Sequence, residues 1–182
     1  MSKAFKSVPE LHKNETAQPL KFALITISSS RYEKFGKVRT PEAAEDRSGQ
    51  LIQKELKSAG HRILAYRLVP DKMEEISSAL ASSLKSGASV IITSGGTGLT
   101  SKDLTIEALS PLFEKEIPGF GELFRYKSLE EIGTAAILTR AVAGIVKGKA
   151  VFCLPGSPNA VKLALKEIII PEAGHIVKHI GE

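Results

Sequence analysis

The chain has 182 residues, 42% of them hydrophobic and 25% charged, and carries a net charge of +5. That is enough for one globular domain with a full core and short for two. No apolar run reaches the ~20 residues that cross a bilayer, and the first six residues lack the uncharged core of a secretion signal, so a cytoplasmic protein without membrane contact is expected.

The positive surplus lies at the front: residues 1–60 hold 11 basic and 7 acidic side chains, the remainder 14 and 13. With no Trp, few aromatics and no Lys/Arg block interleaved with rings, neither a stacking platform nor a phosphate-backbone stripe is visible, which argues against a nucleic-acid partner. A mild positive balance suits an anionic small molecule. The single cysteine, Cys153, excludes an internal disulfide and a multi-cysteine zinc site; between Phe152 and Leu154 it reads as a small buried hydrophobe.

Residues 1–19 mix charges with Pro9 and Pro19 and show no apolar period, which predicts a flexible arm ahead of one domain over 20–182. Residues 20–27 predict a buried strand, followed by a polar loop over 28–41. Residues 42–59 predict a helix with Leu51, Ile52 and Leu56 on one face, ending at Gly60. Asp46 stands where an acid would cap it. A strand over 62–69, a turn at Pro70, Asp71 as cap, a helix to Lys85 and a strand over 88–93 complete an alternating pattern, that of a parallel sheet with crossover helices.

Beyond, 104–109 predicts a short helix interrupted by Pro111, and Pro118-Gly119 breaks the chain again. Residues 120–126 and 129–139 read as helical, with Ser128 as a cap and Phe120 and Phe124 as core. Lys147-Gly148 predicts a tight hairpin that adds an antiparallel edge to the sheet. Ser157 then caps a helix over 158–170 with Pro158 in its first turn. A last helix over 172–180 holds His175 and His179 one turn apart; without a Glu or third ligand beside them, a solvated face outweighs a metal site.

The stretch that carries chemistry is Ser94-Gly95-Gly96-Thr97-Gly98-Leu99-Thr100-Ser101-Lys102-Asp103. Three glycines following an apolar strand let successive N–H groups converge on phosphate oxygens, at the strand end where such sheets bind ligands. Asp103 sits where a metal on those phosphates needs a carboxylate. The second anion site is Pro155-Gly156-Ser157, at a helix start. No P-loop or dinucleotide fingerprint occurs, and no histidine lies beside a motif, so phosphoryl or nucleotidyl transfer without a nucleophilic side chain fits best.

The blocks 93–103, 111–113, 118–125, 129–134, 139–144 and 154–157, with Asp46-Arg47-Ser48-Gly49 as an Asp-x-Ser-Gly match, together resemble the MogA/MoaB family of molybdenum cofactor biosynthesis, and its MoaB branch most closely. The resemblance implies a three-layer α/β/α molybdopterin-binding fold with a mostly parallel sheet, assembled as a homotrimer or homohexamer. It implies Mg²⁺-dependent adenylylation of molybdopterin by ATP, with release of pyrophosphate. Carried onto this sequence, Ser94, Gly95, Gly96, Thr97 and Gly98 would hold nucleotide phosphates, Asp46 and Asp103 would serve Mg²⁺ and catalysis, and Pro155, Gly156 and Ser157 would line the pterin. Glu122 and Arg125 match the family block without an assigned role. It also implies transient contact with other cofactor-biosynthesis proteins. Two other readings stay open: a non-catalytic molybdopterin-binding scaffold of the same pathway, and a CinA-like nucleotide pyrophosphatase, which shares a related domain.

Overall fold

The computed structural model describes residues 18–182; the arm expected over 1–19 lies outside them but for its last two residues. Six strands form one sheet: β1 (Lys21–Ile27), β2 (Arg62–Val69), β3 (Val90–Ser94), β4 (Lys115–Glu116), β5 (Val142–Val146) and β6 (Lys149–Leu154). Their spatial order is β2-β1-β3-β6-β5-β4. The pairs β1–β2, β1–β3 and β3–β6 are parallel, and β5 runs antiparallel to both neighbours. Side chains of β1 alternate between the two faces: Phe22 and Leu24 enter one apolar cluster, Ala23, Ile25 and Ile27 the other. A strand buried on both faces reads as a continuous apolar run, which is why β1, β3 and β6 stand out in the sequence.

The helices cover both faces. On one side lie α2 (Arg47–Ser58), α5 (Pro118–Ile132), α6 (Pro158–Ala164) and α7 (Ile170–Gly181); on the other lie α3 (Met73–Leu84) and α4 (Thr105–Leu109). This is the three-layer, mostly parallel α/β/α arrangement expected. Phe120 and Phe124 are core residues, Phe120 meeting Phe152 edge to face at 5.1 Å between ring centroids. Cys153 is buried, and burial pushes its thiol up to about 12, leaving it inert at neutral pH. Among the described residues no helix is long and apolar enough to cross a membrane.

Several local expectations are corrected. The loop after β1 contains a short helix, α1 (Ser29–Phe35), capped by the Ser28 hydroxyl. The helix expected from residue 42 starts at Arg47, because Pro41 accepts the Ala44 and Asp46 amides in a separate turn. Asp71 is not the cap of α3: Lys72 holds that position without a side-chain bond, and Asp71 turns toward Ser29 instead. Ser128 caps nothing; it lies inside α5 and its hydroxyl donates to the Phe124 carbonyl four residues back. A 3₁₀ segment, Gly133–Leu138, follows α5.

The two C-terminal helices are one rod. A π-helical turn, Leu165–Ile169, joins α6 to α7 just ahead of Pro171. Pro171 has no N–H for the Glu167 carbonyl and its ring would clash there, so the turn widens instead of ending. The hairpin at Lys147-Gly148 forms as expected, yet it is not the margin of the sheet: the two-residue β4 pairs outside β5.

Lys147 and Gly148 have φ of 49° and 66°, the left-handed pair a two-residue hairpin demands. Lysine pays a Cβ clash there that asparagine tolerates better. Lys147→Asn is therefore expected to raise stability by about 0.5–1 kcal/mol, read as a higher denaturant midpoint; an unchanged or lower midpoint would show that the turn is unstrained.

Candidate functional site

Strand order 2-1-3 makes the carboxyl ends of β1 and β3 the point where connections diverge, the usual crevice for ligands in such sheets. Gly95 follows β3 directly, with φ of +102°. Any Cβ there would collide with the Ile27 carbonyl at the end of β1. Its own N–H donates to the Leu154 carbonyl of β6 at 3.0 Å, and a Cβ on Gly156 would stand 3.2 Å from the Gly95 Cα. Three strand ends are thus drawn together at one residue without a side chain.

The glycine turn is braced from below by Thr105, whose N–H donates to the Gly96 carbonyl at 2.9 Å and whose hydroxyl donates to the Gly95 carbonyl at 2.8 Å. Among the described residues, the N–H groups of Gly96 and Thr97 find no protein acceptor. Thr97 is 4% exposed. Gly96 beside it is half-buried, and backbone donors left open in a glycine turn can converge on an anion.

Asp103 stands at the mouth. Its Oδ2 accepts the Thr100 N–H at 3.0 Å and the Thr100 hydroxyl at 2.6 Å. The Thr100 hydroxyl foremost, helped by the Thr100 and Gly98 amides, holds its carboxyl below the usual range, so it is ionised throughout neutral pH. A Cβ at Gly98 would lie 2.7 Å from Oδ2, so only glycine lets this acid fold back over the turn.

Asp71 is the acid that pattern reading missed as a site residue. Its Oδ2 accepts both the N–H and the hydroxyl of Ser29 at 2.9 Å, and its own N–H returns to the Ser29 hydroxyl. Its Oδ1 reaches the cradle, 2.7 Å from where a Gly96 Cβ would be. Capping explains an acid after a Pro too readily; only the β1–β2 pairing brings this one to the glycines. Arg140 was missed as well. Its Nε donates to the Thr97 carbonyl at 3.1 Å, and its guanidinium pairs with Glu107 at 2.7 Å.

Asp46 takes the capping place its position in the sequence indicates, and is netted into the core as well. It caps α2 through Gly49 N–H, and its Oδ2 accepts the hydroxyls of Thr26 at 2.6 Å and Tyr66 at 3.1 Å. It is 2% exposed, with both oxygens accepting bonds from the surrounding elements. Burial first, and the Asp46 charge second, drive the Tyr66 phenol well above its ordinary range, so it remains a donor. Two residues on, the Ser48 hydroxyl donates to the Gly156 carbonyl at 2.7 Å, tying the start of α2 to the loop after β6.

Pro155, Gly156 and Ser157 accordingly meet the glycine turn. The Ser157 hydroxyl caps α6 at the Ala160 amide, 3.3 Å away. Ser94, expected among the phosphate contacts, is the last residue of β3 and 1% exposed; its hydroxyl has no partner among the described residues. Glu122 and Arg125 are not brought to the cradle: they line a separate cleft of about 150 Å³ with Phe113, Glu116 and Ala143. His175 and His179 face each other on α7, Nε2 to Nε2 at 2.8 Å. No group of three or more His, Cys, Asp or Glu side chains suited to a metal occurs among the described residues. Mg²⁺ asks less, one or two carboxylates with waters and substrate phosphates; Asp103 and Asp71 stand beside the cradle, whereas Asp46 is buried behind it.

Residues 23–175 match the family model described as "Probable molybdopterin binding domain". A protein of Pyrococcus furiosus named molybdopterin adenylyltransferase is 49% identical over 177 residues, covering 95% of this chain and 98% of its own. The molybdenum cofactor biosynthesis protein B of Bacillus cereus is 46% identical, covering 91% and 93%. The crystal structure of the tungsten cofactor synthesizing protein MoaB of Pyrococcus furiosus superposes with a TM-score of 0.80 at 47% identity, over 91% of this chain and 99% of that one. The chain therefore belongs to the molybdopterin-binding family of molybdenum cofactor biosynthesis, within its MoaB branch.

Proposed function

We propose that the chain is a cytoplasmic molybdopterin adenylyltransferase using ATP. A phosphate oxygen of molybdopterin attacks the α-phosphorus of ATP, the bond to the bridging oxygen breaks, and pyrophosphate leaves with that electron pair. The observation that carries the reading is the open pair of donors at Gly96 and Thr97, set between two carboxylates that face the cradle. The names of close relatives, molybdopterin adenylyltransferase among them, support the same chemistry.

In this reading the glycine turn holds the nucleotide phosphates, and the loop of Pro155, Gly156 and Ser157 receives the pterin. Asp103 and Asp71 would hold Mg²⁺, which when bound draws negative charge off the α-phosphate so that a second anion can approach. Arg140 fixes the Thr97 carbonyl and with it the Thr97–Gly98 peptide, whose N–H serves Asp103. Asp46 is a positioning residue: it anchors the first turn of α2 and, through Ser48, sets the Gly156 loop against the cradle. The scaffold reading would leave the ionised Asp103 at the mouth without a task.

We infer assembly from α5. Leu123, Tyr126, Leu129 and Ile132 form an exposed apolar stripe along it, continued by Ile137, 83% exposed, and Leu138. An apolar surface of this extent on a chain of this size marks a contact between copies, in keeping with a trimer or hexamer.

Asp103→Ala is expected to lower pyrophosphate release from ATP and molybdopterin by on the order of a hundredfold or more while leaving the thermal midpoint within about 1 °C, because the carboxylate bonds only to its own loop. Wild-type turnover in that variant, or loss of fold, would sink the assignment. Asp46→Ala strands the Thr26 and Tyr66 hydroxyls and the Gly49 amide. It should cost about 2–4 kcal/mol, roughly 5–15 °C in melting, and raise KM for molybdopterin more than it lowers kcat; an unmoved midpoint would contradict the role given to Asp46. Leu129→Glu with Ile137→Glu should reduce the sedimenting mass to that of one chain, and a wild-type protein already monomeric would end the assembly proposal.

A further inference from the structure

β2 is the outer strand of the sheet, and along its free edge, between α1 and α3, opens a cleft of about 340 Å³, the size of a small-molecule site. Three cations line it: Lys37 and Arg39 from the segment after α1, and Arg67 from β2. The carboxylate there belongs to Glu75, and among the described residues it forms no ion pair with any of them. The Nε of Arg67 is buried and has no hydrogen-bond partner among the described residues. A guanidinium N–H taken out of water and left unpaired is costly, and such groups are rare unless something else satisfies them.

The walls narrow the choice. Val38, Leu68 and the ring of Tyr32 supply an apolar side opposite the hydroxyls of Ser78 and Ser82. A forked cation facing an apolar wall suits a phosphate carried on a flat organic body. The cleft shares no lining residue with the glycine cradle, which lies two strands further in, roughly 10 Å at ordinary strand spacing. Between them lies β1, whose end meets the end of β2 through the Ser28 N–H on the Val69 carbonyl at 2.9 Å.

We propose that this edge cleft is a second anion site, in which Arg67 grips a phosphate group of a molecule of mononucleotide size and Lys37 and Arg39 close over it. It does not depend on the adenylyl-transfer reading, since these cations stand apart from the cradle.

The test is a titration of the full chain at low salt with inorganic phosphate and with AMP, followed by NMR at the Arg67 Nε–H and, separately, at the Gly96 and Gly98 amides. The Arg67 signal is expected to shift saturably. Arg67→Gln should weaken binding at this site roughly tenfold to a hundredfold, and Lys37→Gln with Arg39→Gln, both exposed and harmless to folding, should weaken it several-fold. Tighter binding of AMP than of phosphate assigns a nucleotide as occupant, and equal binding assigns free phosphate; either supports the site. An Arg67 signal that stays still while Gly96 and Gly98 move, or affinities unchanged in the Lys37/Arg39 double variant, would overturn it.

Discussion

Everything at the site depends on the absence of one carbon atom. Gly95 lies against the Ile27 carbonyl of β1, under Gly156, and its N–H is spent on Leu154 of β6. A side chain there would push β3 away from β1 or lift the loop after β6, and the three strand ends would no longer share a crevice. The parallel register of β1, β3 and β6 places those ends level with one another. The glycine converts that levelness into contact, at the cost of backbone freedom in the unfolded chain.

A buried carboxylate then secures the second half of the crevice. Asp46 would be expensive in an apolar core were it not met by the Thr26 and Tyr66 hydroxyls and the Gly49 amide. Each donor comes from a different element: β1, β2 and α2. The same carboxylate raises Tyr66, so the network keeps its protons where the bonds need them. Through Ser48, two residues along, it reaches Gly156 and hence Gly95 again. The floor of the crevice and the loop after β6 are thereby one connected structure.

Legibility in the sequence followed contact range. The strands were readable because residues buried on both faces leave continuous apolar runs, and the caps Asp46 and Ser157 because capping is a matter of three or four residues. Asp71 escaped because its partner Ser29 is 42 positions away and reaches it only through the β1–β2 pairing. Arg140 escaped for the same reason, 43 positions from Thr97. Ser128 misled because a serine bonding back to its own helix looks, in sequence, like one starting a helix. The glycine turn was legible as a cradle; that Asp46 lies beneath it while Asp71 lies beside it was not.

The three acids differ most in how far their bonds extend, and this separates chemistry from stability. Asp46 is bound by three elements and buried, so its removal is felt by the whole fold. Asp71 joins the end of β1 to the end of β2, a bridge of intermediate reach. Asp103 bonds within its own loop, to Thr100 three residues before it, and is held ionised by that hydroxyl rather than by the core. A charge presented by purely local bonds can take up or release a cation without straining the sheet. A charge netted into three elements is held by them, and moving it would loosen the bonds from Thr26, Tyr66 and Gly49 together. Bond topology and burial thus set Asp103 and Asp71, whose bonds are local or of intermediate reach, apart from Asp46, whose charge is part of the fold.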